Sequence, residues 1–479
     1  MATDLSKLNE QQRTAILESI DSNVVLLAAA GSGKTSTLVK RTQYLIDDMG
    51  VSPSNIAIIT FTNKAAKEIV DRVATVSADA YKMWIGTFHS ICTKILRKFG
   101  HHMRIDYFSI LDDRESKTLI KQICLGLGKD FSAQGIKDIK NKISTYKSNL
   151  IRPETVLSEY CQNNLEDITV AMVYREYQNE CWKHKSFDFD DLIIYTIMLL
   201  SSYEEVRSWV YENIKYVMVD ESQDTSTDQY QLVRLLAGLN NLMMVGDINQ
   251  SIYKFRNARP EYLNDFCKLY PNAKLLKLEL NYRSTGNIIA AANAVINHNT
   301  FGEKIDMKSF KGPGEKIGYK YLGGIIPNTN NEIAEAKWIA SEIKTLVNAN
   351  VKKYEDFAII YRTNIQSKDL EKIFVQTGIP YTIIGSSSFW SSKEMKDILS
   401  FCKVFFNPKD IASFKRALST IKGVGKTSIE KITGYMKNNN LNANEVLSHI
   451  EINQPTLCRL SAVAISGLKK FDYLLNSNY

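Results

Sequence analysis

Short, uninterrupted apolar runs mark the first half of the chain, at residues 24–27, 56–59, 216–219 and 242–245. Each run is too short for a helix and ends on polar or small residues, so each predicts a buried strand. Strands that are apolar on both faces and separated by helical stretches predict a parallel sheet covered on both sides. Such a sheet takes its ligand at the carboxyl ends of the strands. From about 100 to 205 the runs cease, and Lys, Asp, Leu and Ile recur at helical spacing, as in 136–143. That stretch predicts a helical insertion. A second alternating region starts near 286, with strands expected at 319–322, 357–361 and 381–384. Turn signals lie at 311–314, 323–324 and 327–328. Beyond about 386 the pattern is helical to the end.

The first apolar run feeds Ala-Ala-Ala-Gly-Ser-Gly-Lys-Thr at 28–35. A strand, a glycine-rich turn and Lys-Thr opening a helix form a phosphate cradle. Gly31 and Gly33 let backbone N–H groups approach a phosphate chain, Lys34 reaches its terminal phosphates, and the Thr35 hydroxyl sits on Mg²⁺. The helix adds its positive dipole end. Position 28 is alanine where the general pattern has glycine, so the strand before and the amphipathic stretch after carry the assignment. The 216–219 run ends on Asp220 and Glu221, an acidic pair suited to hold Mg²⁺ and to act as general base on a water. The 242–245 run leads to Gln250, placed to meet a γ-phosphate, and then to Tyr253, Phe255 and Arg256. Aromatics interleaved with cations stack on single-stranded bases and grip phosphates. Taken alone, that cluster reads equally as core packing beside a solvated arginine.

At 479 residues the chain exceeds one core, and two to four domains are expected. Its 44% apolar and 23% charged residues are those of a soluble globular protein. No apolar run approaches the roughly 18 residues that span a bilayer, and the N-terminus lacks a signal-peptide core. Seven scattered cysteines, without Cys-x-x-Cys or histidine at ligand spacing, read as buried thiols in a reducing, cytoplasmic setting. The net charge of +8 permits a polyanionic partner without requiring one.

Nine ordered motifs carry a family resemblance. They are Leu8-Asn9 with Gln12, the Gly31–Thr35 loop, Thr60-Phe61-Thr62-Asn63, Gly86-Thr87-Phe88-His89, Asp220-Glu221-Ser222-Gln223-Asp224, Gly246-Asp247 with Gln250-Ser251-Ile252-Tyr253, Leu280-Asn281-Tyr282-Arg283-Ser284, Tyr361-Arg362-Thr363-Asn364, and 379–385. Together the set resembles the UvrD/Rep/PcrA group of superfamily 1 DNA helicases. The resemblance implies that Gln12 reads the adenine edge, Tyr282 stacks on the base, and Arg283 contacts the γ-phosphate. Ala30, Gly31, Ser32, Gly33, Lys34, Thr35 and Ser36 would line the ATP site. Phe61, Asn63, His89, Tyr253, Phe255, Arg256 and Arg362 would line a single-strand path. Phe255 stands where relatives commonly place tryptophan, Ser36 where many have arginine, and Lys368 replaces another arginine. The group's last two motifs have no counterpart, and the Gly-Val-Gly-Lys-Thr at 423–427 has no apolar run before it. It therefore reads as a helix-hairpin turn rather than a second phosphate loop.

The expected fold is α/β, a RecA-like P-loop domain with a parallel sheet and helical insertion, then a partial second RecA-like domain with a truncated insertion. The expected boundaries are 1–100 with 205–285, an insertion at 101–204, the partial domain at 286–385, and its insertion at 386–479. The implied activity is ATP-dependent 3′-to-5′ DNA unwinding with Mg²⁺, on single strands and duplex junctions, alone or with a second polypeptide supplying the missing motifs. The competing class is an ATP- and single-strand-binding module of low turnover, accessory to replication or repair.

Overall fold

The computed structural model describes the chain apart from residues 1–2, 106, 161–164, 239–240, 321–330, 385–392, 407, 409–410, 440, 453–461 and 477–479. It divides into two compact units, Met1–Gly318 and Tyr319–Tyr479. The fold is mixed α/β, mostly helical, with a parallel central sheet.

The sheet of the first unit has six strands: β1 (Val24–Ala28), β2 (Ile56–Thr60), β3 (Trp84–Thr87), β4 (Tyr216–Val219), β5 (Asn241–Gly246) and β6 (Lys274–Leu278). All ladders are parallel, in the order β3-β2-β4-β5-β1-β6. The four expected runs are its four central strands. Their alternate side chains enter two separate cores, which is why the runs are apolar throughout. Val25, Leu27, Ala57, Ile59, Val217, Val219, Leu242 and Met244 face one core. Val24, Leu26, Ile56, Ile58, Met218, Met243 and Val245 face the other.

The longer helices of this unit are α1 (Glu10–Leu17), α2 (Lys34–Asp47), α3 (Asn63–Ala74), α4 (Phe88–Phe99), α5 (Asp113–Gly126), α6 (Ala133–Ser148), α7 (Leu165–His184), α8 (Phe189–Ser202), α9 (Glu204–Asn213), α10 (Thr227–Ala237) and α11 (Gly286–Ile296). The expected insertion is helical, built from α5 to α8, with a two-residue ladder between Ser109–Ile110 and Ser186–Phe187. Polar side chains fix several helix starts. Asn9 and Gln12 form a reciprocal cap on α1, Thr62 Oγ1 accepts from the Ala65 amide, and Asp188 caps α8. The C-terminal carbonyls of α1 are met by a buried cation: Arg41 Nη1 donates to Ala15, Ile16 and Glu18 at 3.0–3.1 Å. Residues 286–318 pack with this unit, and Ile289, Ile305 and Met307 join its core.

In the second unit α12 (Asn331–Asn348) and α13 (Ser367–Thr377) share a small core with Ile379. The helices α14 (Lys393–Phe406), α15 (Ile411–Thr420), α16 (Lys426–Asn438), α17 (Ala443–Ile452) and α18 (Ala462–Asn476) gather around Phe414, Ile432, Met436 and Phe471. The expected strands at 357–361 and 381–384 are not formed, and no described residue of this unit belongs to a sheet. Both segments are non-helical and line a cavity of about 790 Å³ with Leu370 and Phe374. The 319–322 strand and the 323–324 and 327–328 turns fall wholly or partly outside the described residues. Residues 421–425 form the turn between α15 and α16, as read from the lack of a preceding strand.

Cysteine burial is uneven. Cys92, Cys124 and Cys181 are buried, but Cys267 is half-buried and Cys402 exposed, which corrects the expectation of uniformly buried thiols. Cys161 and Cys458 lie outside the described residues. No helix among the described residues is long and apolar enough to cross a membrane.

Candidate functional site

The carboxyl ends of β1, β4 and β5 are adjacent, so the turns that follow them converge. The turn after β1 needs glycine twice, with φ of +68° at Gly31 and +87° at Gly33. A Cβ on Gly31 would stand 2.7 Å from Arg283 Cβ and 2.9 Å from Asn281 Nδ2. The Asn281–Arg283 segment is therefore packed directly on the loop, and the Tyr282 amide donates to Gly31 O at 2.9 Å. Asn281 Nδ2 donates to Ala30 O, while its Oδ1 accepts from the Arg283 and Ser284 amides. Tyr282 hydroxyl accepts from Asn9 Nδ2 at 2.9 Å, and its ring lies 5.1 Å from that of Phe310. Arg283 is exposed beside the loop.

Gln12, expected at the adenine edge, bonds within the loop and its own helix cap. Its Nε2 donates to Ser32 O at 3.0 Å and its Oε1 accepts from the Asn9 amide at 3.2 Å. The side chain is buried and splints the glycine turn. Ser32 Oγ donates to Ala29 O, Thr35 is half-buried and Ser36 exposed.

Lys34 Nζ stands 3.1 Å from Glu221 Oε2. Glu221 holds a left-handed backbone, φ +52°, rare for a residue with a β-carbon and costing about 1–3 kcal/mol. That conformation turns the acidic pair apart: Asp220 is buried, while Glu221 reaches toward the loop. Burial pushes the Asp220 carboxyl up to about 6, with the neighbouring Glu221 adding to the rise. Asp224 is pushed up to about 6 for the same two reasons. A divalent cation would oppose both effects at Asp220, and hydroxyl and carboxylate oxygens are the hard donors that Mg²⁺ takes. Thr35 and Asp220 therefore fit that ion.

Gln223, quoted within a motif but given no task from sequence, is the hub of the site. Its Nε2 donates to Glu221 Oε2 at 2.8 Å, and its Oε1 accepts from the Asp247 amide at 3.0 Å. Its carbonyl accepts from Ser251 Oγ at 3.2 Å. A Cβ on Gly246 would fall 2.5 Å from Gln223 Oε1, so glycine there makes room for the amide. Gln250 does not reach Glu221. Its Nε2 donates to Asp247 Oδ2 at 2.7 Å, one step further along the same chain of bonds. No spacing in the sequence signals this link, which the fold alone creates.

The residues expected to face DNA fall into groups. Phe61 stacks on Tyr253, centroids 5.3 Å apart and planes 20° off parallel. Phe255 lies 5.8 Å from Tyr253 and is 76% exposed. The Arg256 guanidinium sits 5.0 Å from the Tyr253 centroid and 5.8 Å from that of Phe255. His89 meets the edge of Phe189 at 5.3 Å, a partner that sequence reasoning missed, and burial holds its imidazole below the usual range. Asn63 is exposed at the first position of α3. Arg362 is exposed in the second unit, where its amide donates to Gln366 Oε1.

Comparison with known proteins accounts for this arrangement. Residues 8–271 match the UvrD/REP helicase N-terminal domain, and residues 276–454 match the UvrD-like helicase C-terminal domain. The ATP-dependent DNA helicase PcrA of Bacillus subtilis is 38% identical over 477 residues, covering 99% of this chain and 62% of that protein. PcrA of Staphylococcus epidermidis is 38% identical over 451 residues, covering 93% of this chain and 60% of its own length. PcrA of Staphylococcus aureus gives the same identity and coverage. The chain thus spans about three fifths of the length of these relatives. With the glycine loop, the acidic pair and the aromatic groups all inside a matched domain that covers more than half of it, the chain belongs to the UvrD/REP helicase family.

Proposed function

We propose that this chain is an ATP-driven motor on single-stranded DNA, working in the 3′-to-5′ direction that the family resemblance implies and opening duplex at junctions. The observation that carries the reading is the continuous hydrogen-bonded path from Lys34 and Glu221 through Gln223 to Asp247 and Gln250. That path ends three residues before Tyr253, in the group suited to stack on bases. The relatives named PcrA are ATP-dependent DNA helicases, which agrees with it.

In this reading Lys34 leaves Glu221 for the terminal phosphates, and Arg283 approaches them from the Asn281–Arg283 segment. Released from the lysine, Glu221 accepts a proton from the attacking water. Gln223 senses the change because its amide bonds both Glu221 and the end of β5, so rearrangement at the phosphate passes to Gln250 and Tyr253. Tyr282 takes the base. Thr35 and Asp220 would hold Mg²⁺, which when bound neutralises phosphate charge. Phe61, Tyr253, Phe255 and Arg256 grip the strand, with His89 and Asn63 extending the path, and the exposed Arg362 of the second unit is a separate DNA contact.

The test is steady-state ATP hydrolysis with and without a short oligonucleotide at fixed salt. Lys34→Ala should abolish turnover and weaken nucleotide binding. Glu221→Gln should keep nucleotide binding and lower turnover by at least ~10². Unchanged turnover in Lys34→Ala refutes the assignment, and turnover indifferent to DNA favours the low-turnover binding module. Strong DNA-stimulated hydrolysis and unwinding by this chain alone would leave no task for a second polypeptide.

A further inference from the structure

The C-terminal turn of α6 places three consecutive polar residues against two different parts of the DNA-facing surface. Lys147 is fully buried, and its ammonium lies 2.8 Å from Asp188 Oδ2 and 2.7 Å from Asp191 Oδ1. Those carboxylates open α8, whose first residue, Phe189, packs on His89. The Tyr177 hydroxyl also donates to Asp188, at 3.0 Å, and Gln178 Nε2 donates to Asp191 at 3.0 Å. The next residue, Ser148, accepts at its Oγ from Asn257 Nδ2 at 2.7 Å. Asn149 Oδ1 accepts from Arg259 Nη2 at 3.2 Å. Asn257 directly follows Arg256, and the Arg259 amide donates to Thr225 O, beside the acidic turn after β4.

A buried lysine between two carboxylates is costly to desolvate and is a poor route to stability alone. Its geometric effect is firm, since removing either partner strands a charge. We propose that residues 147–149 are a positioning element of the DNA-binding surface. Lys147 fixes the start of α8 and with it the Phe189–His89 pair. Ser148 and Asn149 fix the loop that carries Tyr253, Phe255 and Arg256. Both aromatic groups are thereby set from one helix end. This inference rests on the DNA-binding reading above.

Ser148→Ala and Asn257→Gly cut the second arm without stranding a charge, and glycine keeps the +62° φ of Asn257 unstrained. Each should raise the Kd for a short oligonucleotide about 5-fold at fixed salt. The double variant should be no worse than Ser148→Ala, because the Ser148–Asn257 bond is lost in all three and the Ser148 donation to Thr145 O is lost in both variants that carry Ser148→Ala. DNA-free ATP turnover and melting temperature should not move. Amide hydrogen exchange across 253–258, measured without DNA, should quicken in both variants. Lys147→Met tests the first arm and should weaken DNA binding further while sparing DNA-free turnover. If it fails to fold, the Ser148 and Asn257 variants decide the matter. Wild-type Kd in both, a parallel fall of DNA-free turnover and melting temperature, or unchanged exchange at 253–258 would each overturn the proposal. A wild-type chain that binds no oligonucleotide refutes the DNA reading instead, and the exchange data then decide whether α6 sets the loop.

Discussion

Asp228, in the first turn of α10, is 2% exposed and its carboxyl is pushed up to about 7, chiefly by burial and further by Asp190. Between the unfolded value near 4 and that of the folded chain, the native state holds a proton that the unfolded chain releases. Stability contributed by this group is therefore full below about pH 4 and declines as pH rises toward 7. Asp228→Asn removes the titration. At pH 8 it should raise stability by about 3–4 kcal/mol, read by denaturant melts, and at pH 4 the two proteins should coincide. Phe255 differs because its ring is 76% exposed. Phe255→Ala should leave the melting temperature alone and weaken single-strand binding by about 1–3 kcal/mol in fluorescence anisotropy. Equal binding by both proteins would remove Phe255 from the strand path.

Among the elements, the glycine turn after β1 tolerates substitution poorly. Gly31→Ala would impose a side chain at φ +68° and drive it into Asn281 and Arg283. The expected result is at least a 10-fold loss of affinity for a fluorescent ATP analogue, because Tyr282 and Arg283 move with the segment that is displaced. The turn was legible in sequence, as were the four central strands, since burial on both faces forces unbroken apolar runs. The outer strands were not. In β3 the first two residues are only half-buried, and in β6 Lys274 and Lys277 break the run, because an edge strand needs only one apolar face. Gln223 escaped for another reason: its task is set by Glu221 and by Asp247, which tertiary folding alone brings together. The segments 357–361 and 381–384 have strand composition, but a strand exists only with a partner, and composition does not supply one.

At the scale of the whole molecule, the chain holds its glycine loop and its C-terminal helical bundle in two compact units, and the second family domain begins at residue 276, inside the first of them. The first unit also carries an unusual ordering in time. Its β1 lies between β5 and β6, with Val24 beside Met243 and Lys274, roughly 220 and 250 residues downstream. Local helices can close within microseconds, whereas so distant a pairing must first meet the entropy of a long loop. After dilution from denaturant, helical ellipticity should return well before ATP-analogue binding, and stopped-flow traces from the two probes should not superimpose. In the proposed reading the glycine loop is made well before the sixth strand and becomes competent only once that strand has been made. A ribosome paused before residue 274 would therefore carry a chain rich in helix and unable to hold its nucleotide.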